Sequence, residues 1–251
     1  MRMHAILDKS VAAIMLQHEK GACFCMEGSM DFERARHNMI ESQIRPGGVL
    51  DLRLIAAMSD IPREIFVPEE KRALAYIDED LAIGPDSAGR MRWLLEPLVF
   101  ARMLQLAEID PDDCVLDIAP STGYSSAVLS RLAQSVIAVE EDDALREQAT
   151  ANLEALDCVN AVMMPGVHEK GFTREAPYDV IVLNGRIEER PDALLHQLRD
   201  LGRLVCVYGP PHAARIRLYT RRGKAISFAD YHDCSVPPVP GFATTDEVMA
   251  F

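Results

Sequence analysis

The sequence predicts an α/β protein with a mostly parallel, seven-stranded sheet that ends in an antiparallel hairpin. Two observations carry this. After Pro111, apolar runs CVLDIA, SVIAVE, NAVMM, YDVIVLN and RLVCVYG are separated by helical stretches such as SSAVLSRLA, ALREQATANLEAL and PDALLHQLRDL. Near-continuous apolar strands alternating with helices imply a parallel sheet covered on both faces. Then ARIRLYTRR and AISFADYHD alternate in polarity and are joined through Arg222-Gly223-Lys224, the pattern of an antiparallel pair.

The elements follow in order. Residues 1–29 contain one apolar run, Val11 to Leu16, too short to span a membrane and followed by charge rather than a cleavage site. They are expected to be an accessory or disordered extension and are given no function. Residues 30–110 read as a helical segment packed on the core. Asp31 can cap a helix with Phe32, Ala35, Met39 and Ile40 on one face, and Ile44 precedes the Pro46-Gly47-Gly48 break. LRLIAAMS makes a second short helix. PREIFVPEEKRALAY then leads through a polar loop, IGPDSAGRMR, into a long amphipathic helix over EPLVFARMLQLAEI. Residues 111–251 form the cofactor-binding core.

Composition narrows the partners. The chain of 251 residues is 49% hydrophobic and 26% charged, as in ordinary globular proteins. Its net charge of -13 argues against duplex DNA or an anionic membrane face, since phosphate binding rests on surplus Lys and Arg. Arg215, Arg217, Arg221, Arg222 and Lys224 read as the solvated face and turn of the hairpin. Cys23 and Cys25 form a lone CxC without a second ligand pair, so no metal is expected. Reduced thiols and the lack of a secretory signal point to the cytoplasm.

In an open α/β sheet, ligands bind beyond the carboxyl ends of the strands, near the point where strand order reverses. Asp117 ends the first strand of the core, and Ala119, Ser121, Gly123 and Tyr124 form the turn into the next helix. Glu140 ends the second strand, 23 residues after Asp117. An acid at roughly 20 residues reaches ribose hydroxyls, and a carboxylate can accept from two adjacent ones. Glu141, Asp142 and Asp143 read as a solvated, macrodipole-favoured helix start. Gly166 and Val167 after the third strand, and Asn184 at the end of the fourth, line the pocket mouth. His168, His196 and His212 stand without a telling partner, and no residue is assigned a catalytic role.

A parallel sheet with a terminal antiparallel pair resembles the Rossmann-like, class I S-adenosylmethionine-dependent methyltransferases. More specifically, MDFERARHNMIESQI, IPREIFVP, AYIDEDLAIG, VLDIAPSTGYSSAVLSRLA, VIAVEED and QLRDLGRLVCVYG, in this order from about Met30 to about Tyr208, resemble the protein-L-isoaspartate O-methyltransferase family. The tail PPVPGFATTDEVMAF is similar to the ending of a bacterial side branch of it. The resemblance implies S-adenosyl-L-methionine as methyl donor and an isoaspartyl-containing protein or peptide as substrate, whose methyl ester collapses to a succinimide in a repair cycle.

Departures from the family pattern are local. The family turn reads EIGTGSGY; here Asp117, Ala119, Ser121 and Gly123 occupy the acid and the three glycine positions, so two glycines are lost. Val167 stands where the family carries an aspartate for the adenine. The family loop GQTISQP holds an active-site serine. Here GPDSAGRMRWLLEP has extra residues, none of them a serine at that place, and Trp93 could wall a substrate pocket. Two other functions stay open: a catalytically silent binding module on this fold, and a small-molecule O-methyltransferase acting on a small carboxylate.

Overall fold

The computed structural model describes residues 31–242, which belong, but for Asp31, to one compact unit, Phe32–Phe251. The expectations for residues 1–29 and for the end of the tail therefore lie outside the described residues. Helix α1, Phe32–Met39, runs on as a π-helical turn, Ile40–Ile44, and α2 spans Leu52–Asp60. Asp51 starts α2 by accepting from the amides of Arg53 and Leu54, which satisfies two N–H groups that the first turn leaves open. Two 3-10 turns follow, Arg63–Phe66 and Glu69–Leu74. Between them and the long helix α3, Pro97–Ala107, the chain is not the loop expected. It forms an antiparallel hairpin of β1, Leu81–Pro85, and β2, Met91–Leu94, a two-stranded sheet of its own.

The core is built on β3 (Cys114–Ile118), α4 (Tyr124–Ser130), β4 (Ser135–Glu140), α5 (Asp143–Ala155), β5 (Ala161–Pro165), β6 (Tyr178–Ile187), a single helical turn α6 (Asp192–Leu195), β7 (Leu198–Tyr208), β8 (Arg215–Arg222) and β9 (Ala225–Asp233). The strand order is β5-β4-β3-β6-β7-β8-β9. The first five strands in that order are parallel to one another, and β8 and β9 add antiparallel pairings. The alternation pattern thus identified the seven strands and the closing hairpin, whose Arg215 and Arg217 pair across to Asp233 and Asp230. One stretch went differently. The helical periodicity of PDALLHQLRDL survives only in α6, because Leu198 already pairs with Tyr178 and the chain continues as β7. Pairing with a buried neighbour strand outweighs the few tenths of a kcal/mol per residue of intrinsic helix preference.

One hydrophobic core joins the N-terminal helices to the sheet: Ile44, Met58, Phe66, Phe100 and Met103 pack with Val115, Val180 and Val205. Arg63 is fully buried and donates to the carbonyls of Ala75 at 2.7 Å and Leu95 at 2.5 Å. These bonds tie the end of the hairpin to the segment before it. No described helix is long and apolar enough to cross a membrane.

Candidate active site

The sheet order reverses at β3, whose successor β4 lies on one side and β6 on the other. Crevices at such reversals hold ligands. At this end of β3, Asp117 is fully buried and accepts from the hydroxyls of Ser125 and Ser126, each at 2.7 Å, and from Asn184 Nδ2 at 2.5 Å. Burial pushes its carboxyl up to about 6 against the pull of these hydrogen bonds. Asn184 also donates to the Ile118 carbonyl at 2.9 Å, so two predicted site residues form one polar floor between β3 and β6. Gly185 lets the chain turn there with φ 147°, and a Cβ on it would lie 2.7 Å from Val239. This close approach brings the segment Pro237–Pro240 over the end of β6, where the Arg186 amide donates to the Pro237 carbonyl.

The turn after β3 keeps a left-handed backbone at all three glycine positions: Ala119 has φ 58°, Ser121 φ 56° and Gly123 φ 96°. Side chains at the first two are held in a conformation costing roughly 1–2 kcal/mol each. Gly123 is required twice, since a Cβ there would also meet Ala149 Cβ of α5 at 3.1 Å. The double variant Ala119→Gly/Ser121→Gly is expected to be more stable by about 1 kcal/mol, the relieved strain less the extra chain entropy of glycine. Urea unfolding checks this; a loss of stability would mean that packing of the methyl and hydroxyl outweighs the strain.

Glu140, predicted as the ribose ligand, is 0% exposed and meets Arg92, which is 3% exposed. Nη1 and Nη2 of Arg92 donate to Oε1 and Oε2, both at 2.7 Å. The Ser121 and Asp142 amides donate to the same carboxylate at 3.1 and 3.2 Å. Burial opposes its charge, but the hydrogen bonds and charge of the facing Arg92 guanidinium prevail and hold it at about 2. The acids after Glu140 do start the helix as expected, with Asp142 as the N-cap of α5 and Asp143 exposed in its first turn, but Glu141 and Asp142 are engaged rather than free. Glu141 accepts from Arg90 at 3.2 Å, while Asp142 accepts from the Ser87 amide at 2.7 Å and caps α5 through the Leu145 amide. The hairpin thus clasps three consecutive acids.

Other predicted residues are dispersed. Tyr124 is a core residue more than a ligand: its ring packs on Phe66 and Phe100 at 5.4 and 5.5 Å between centroids, with the Arg63 guanidinium 4.8 Å from its face. Only part of its surface reaches the crevice. Gly166 follows β5 against Val139, and Val167 is 40% exposed on the rim. Sequence reasoning missed His168, fully buried beside them. Its Nε2 lies 3.4 Å from Glu140 Oε1 and accepts from the Glu141 amide at 3.3 Å, and its Nδ1 faces the Pro240 carbonyl. It missed Arg90 and Arg92 too. Met91-Arg92-Trp93-Leu94 alternates in exposure only once folded, its residue types do not alternate over the four positions, and nothing local names a partner 48 residues away.

The residue set fits the ribose of S-adenosylmethionine: an acid at the end of β4, a left-handed turn beside it and a polar floor. The space, however, is taken. The cavity among Trp93, Leu94, Phe100, Ala119, Tyr124 and Asn184 measures about 10 Å³, room for no more than one water. Arg92 occupies both carboxylate oxygens of Glu140, the expected ribose ligand.

Comparison with known proteins agrees with this geometry. Residues 34–240 match the family described as Protein-L-isoaspartate(D-aspartate) O-methyltransferase (PCMT). A protein-L-isoaspartate O-methyltransferase of Koribacter versatilis is 34% identical over 210 residues, covering 84% of this chain and 92% of that protein. A solved protein-L-isoaspartate O-methyltransferase superposes with a TM-score of 0.73 at 24% identity, over 82% of this chain and 66% of its own. A Plasmodium falciparum structure described as a putative protein-L-isoaspartate O-methyltransferase in complex with S-adenosyl-L-homocysteine superposes with a TM-score of 0.65 at 17% identity, over 82% of this chain and 96% of its own. With the motif order, the sheet topology and these matches in agreement, the chain belongs to the protein-L-isoaspartate O-methyltransferase family.

Proposed function

We propose that this chain methylates the α-carboxylate of isoaspartyl residues in damaged protein, with S-adenosylmethionine as donor. The observation that carries the reading is Glu140 at the carboxyl end of β4, hydrogen-bonded to the amide of the turn after β3, in a chain whose family membership spans residues 34–240. The cofactor supplies an electrophilic methyl. A substrate carboxylate is already ionised at neutral pH, so the protein needs no strong base. Its work is to position and to exclude water. Asp117, Asn184 and the left-handed turn form the floor, the Pro237–Pro240 segment covers one side, and Trp93, 37% exposed on β2, walls the mouth.

The test is methyl transfer from labelled S-adenosylmethionine to an isoaspartyl peptide, scored as base-labile ester, with the normal aspartyl peptide as control. Ester on the isoaspartyl peptide alone is the expected result. Ester on neither peptide, with S-adenosylhomocysteine still bound, reassigns the substrate towards a small carboxylate. A second reading, the silent binding module, is favoured by one observation: the guanidinium that fills the Glu140 site. It predicts no binding of S-adenosylhomocysteine.

A further inference from the structure

We propose that the β1–β2 hairpin is a latch over the cofactor site, in which Arg92 occupies the ribose position on Glu140 and must leave before S-adenosylmethionine binds. The inference rests on the cofactor reading above and adds a gate to it. A carboxylate offers about four acceptor sites. On Glu140 all four are used, by Nη1 and Nη2 of Arg92 and by the amides of Ser121 and Asp142. The two amides are fixed by the turn and by the start of α5. Only the guanidinium, at the end of a flexible side chain, can yield both of its acceptor sites to a ribose diol.

The hairpin is constructed to close and to open. It pairs with no strand of the seven-stranded sheet. Its bend is self-contained: Asp86 accepts from the amides of Ala88 and Arg90 and from Arg90 Nε, and the Asp86 amide donates to the Arg90 carbonyl. The bend is fastened to the body in register, Ser87 to Asp142, Arg90 to Glu141 and Arg92 to Glu140. Leu81, Leu94 and Leu95 at its base are buried and stay anchored. Residues 85–92 are therefore the part that moves, and Trp93, the chain's single tryptophan, adjoins it.

The test is titration with S-adenosylhomocysteine, by calorimetry and by stopped-flow Trp93 fluorescence. If only an open minority binds, apparent affinity falls by the open fraction. Arg92→Ala should then tighten binding by about tenfold or more, and the observed rate in the unmodified protein should saturate with ligand concentration, at the opening rate, while that of Arg92→Ala keeps rising. Equal affinities and equal, unsaturating rates would overturn the latch and leave the cofactor reading intact. Because Arg92→Ala leaves a buried carboxylate uncompensated, Ser87→Pro/Arg90→Ala provides a second test. It removes the two outer clasps, with one side-chain bond of the bend, and leaves the Arg92–Glu140 pair in place; it should tighten binding by roughly threefold or more if the clasps hold the closed state, and no change there, with Arg92→Ala unable to fold, also overturns the proposal. No binding at millimolar ligand by any of the three proteins sinks the latch and the cofactor reading together.

Discussion

Glu140→Ala is expected to lower the unfolding free energy by about 3–5 kcal/mol, because it strands the buried Arg92 guanidinium without its partner. The pH dependence has the matching sign. With a folded pKa of about 2 against an ordinary 4.5, Glu140 contributes about 3 kcal/mol that is fully present above the unfolded value and is lost as pH falls towards 2. Glu140→Leu/Arg92→Met should recover most of the loss, since an apolar pair of similar volume leaves neither charge unpaired. Urea unfolding of Glu140→Leu, Arg92→Met and the double variant closes the cycle. Additive losses would mean that the two residues act separately, contrary to their bidentate contact.

Between pH 4 and 8 a second group dominates, with the opposite sign. Burial raises Asp117 to about 6 against the hydrogen bonds of Ser126, Ser125 and Asn184, so its contribution is complete below the unfolded value near 3.8 and is lost as pH rises through 6. The difference corresponds to about 3 kcal/mol between pH 4 and pH 8, and Asp117 is fully buried, so solvent does not screen it. Burial likewise raises Asp80 to about 6 and Glu96 to about 7 at the start of α3. Stability should therefore be highest near pH 4, where the losses from these groups begin and that from Glu140 is still small. Melting by circular dichroism should show Tm lower at pH 8 than at pH 4 by about 6–12 °C. Asp117→Asn, which keeps an acceptor for the two serines and carries no charge, should flatten that slope. An unchanged slope in Asp117→Asn would show that the loss originates elsewhere.

Much of the frame that holds the candidate site could be read from the chain before any coordinates. The interval from Asp117 to Glu140 follows from one strand, one helix and one strand, whose lengths hydrophobic periodicity reveals. The antiparallel ending follows from period-two alternation around Gly223. The family motifs belong to the same class of information, since they record local backbone needs: even with two glycines replaced, Ala119 and Ser121 still adopt the positive φ that this turn demands.

Other features are invisible locally because they depend on long-range partners. Glu140 was identified as a carboxylate at the right strand end, but whether its acceptors are free depends on Arg92, brought from the far side of α3 by the hairpin. The clasp of Glu141 and Asp142 has the same origin, as does the seating of His168 beneath Pro240. Tyr124 lies in a site motif, yet Phe66 and Phe100 claim its ring, because burial among aromatic neighbours is set by the packing of separate elements. Strand, turn and helix are written in near-neighbour pattern and follow from the chain alone. Which charges meet, which are buried and what fills the space between them were decided by tertiary packing, because Coulomb and contact energies act across distances in space that sequence separation does not measure.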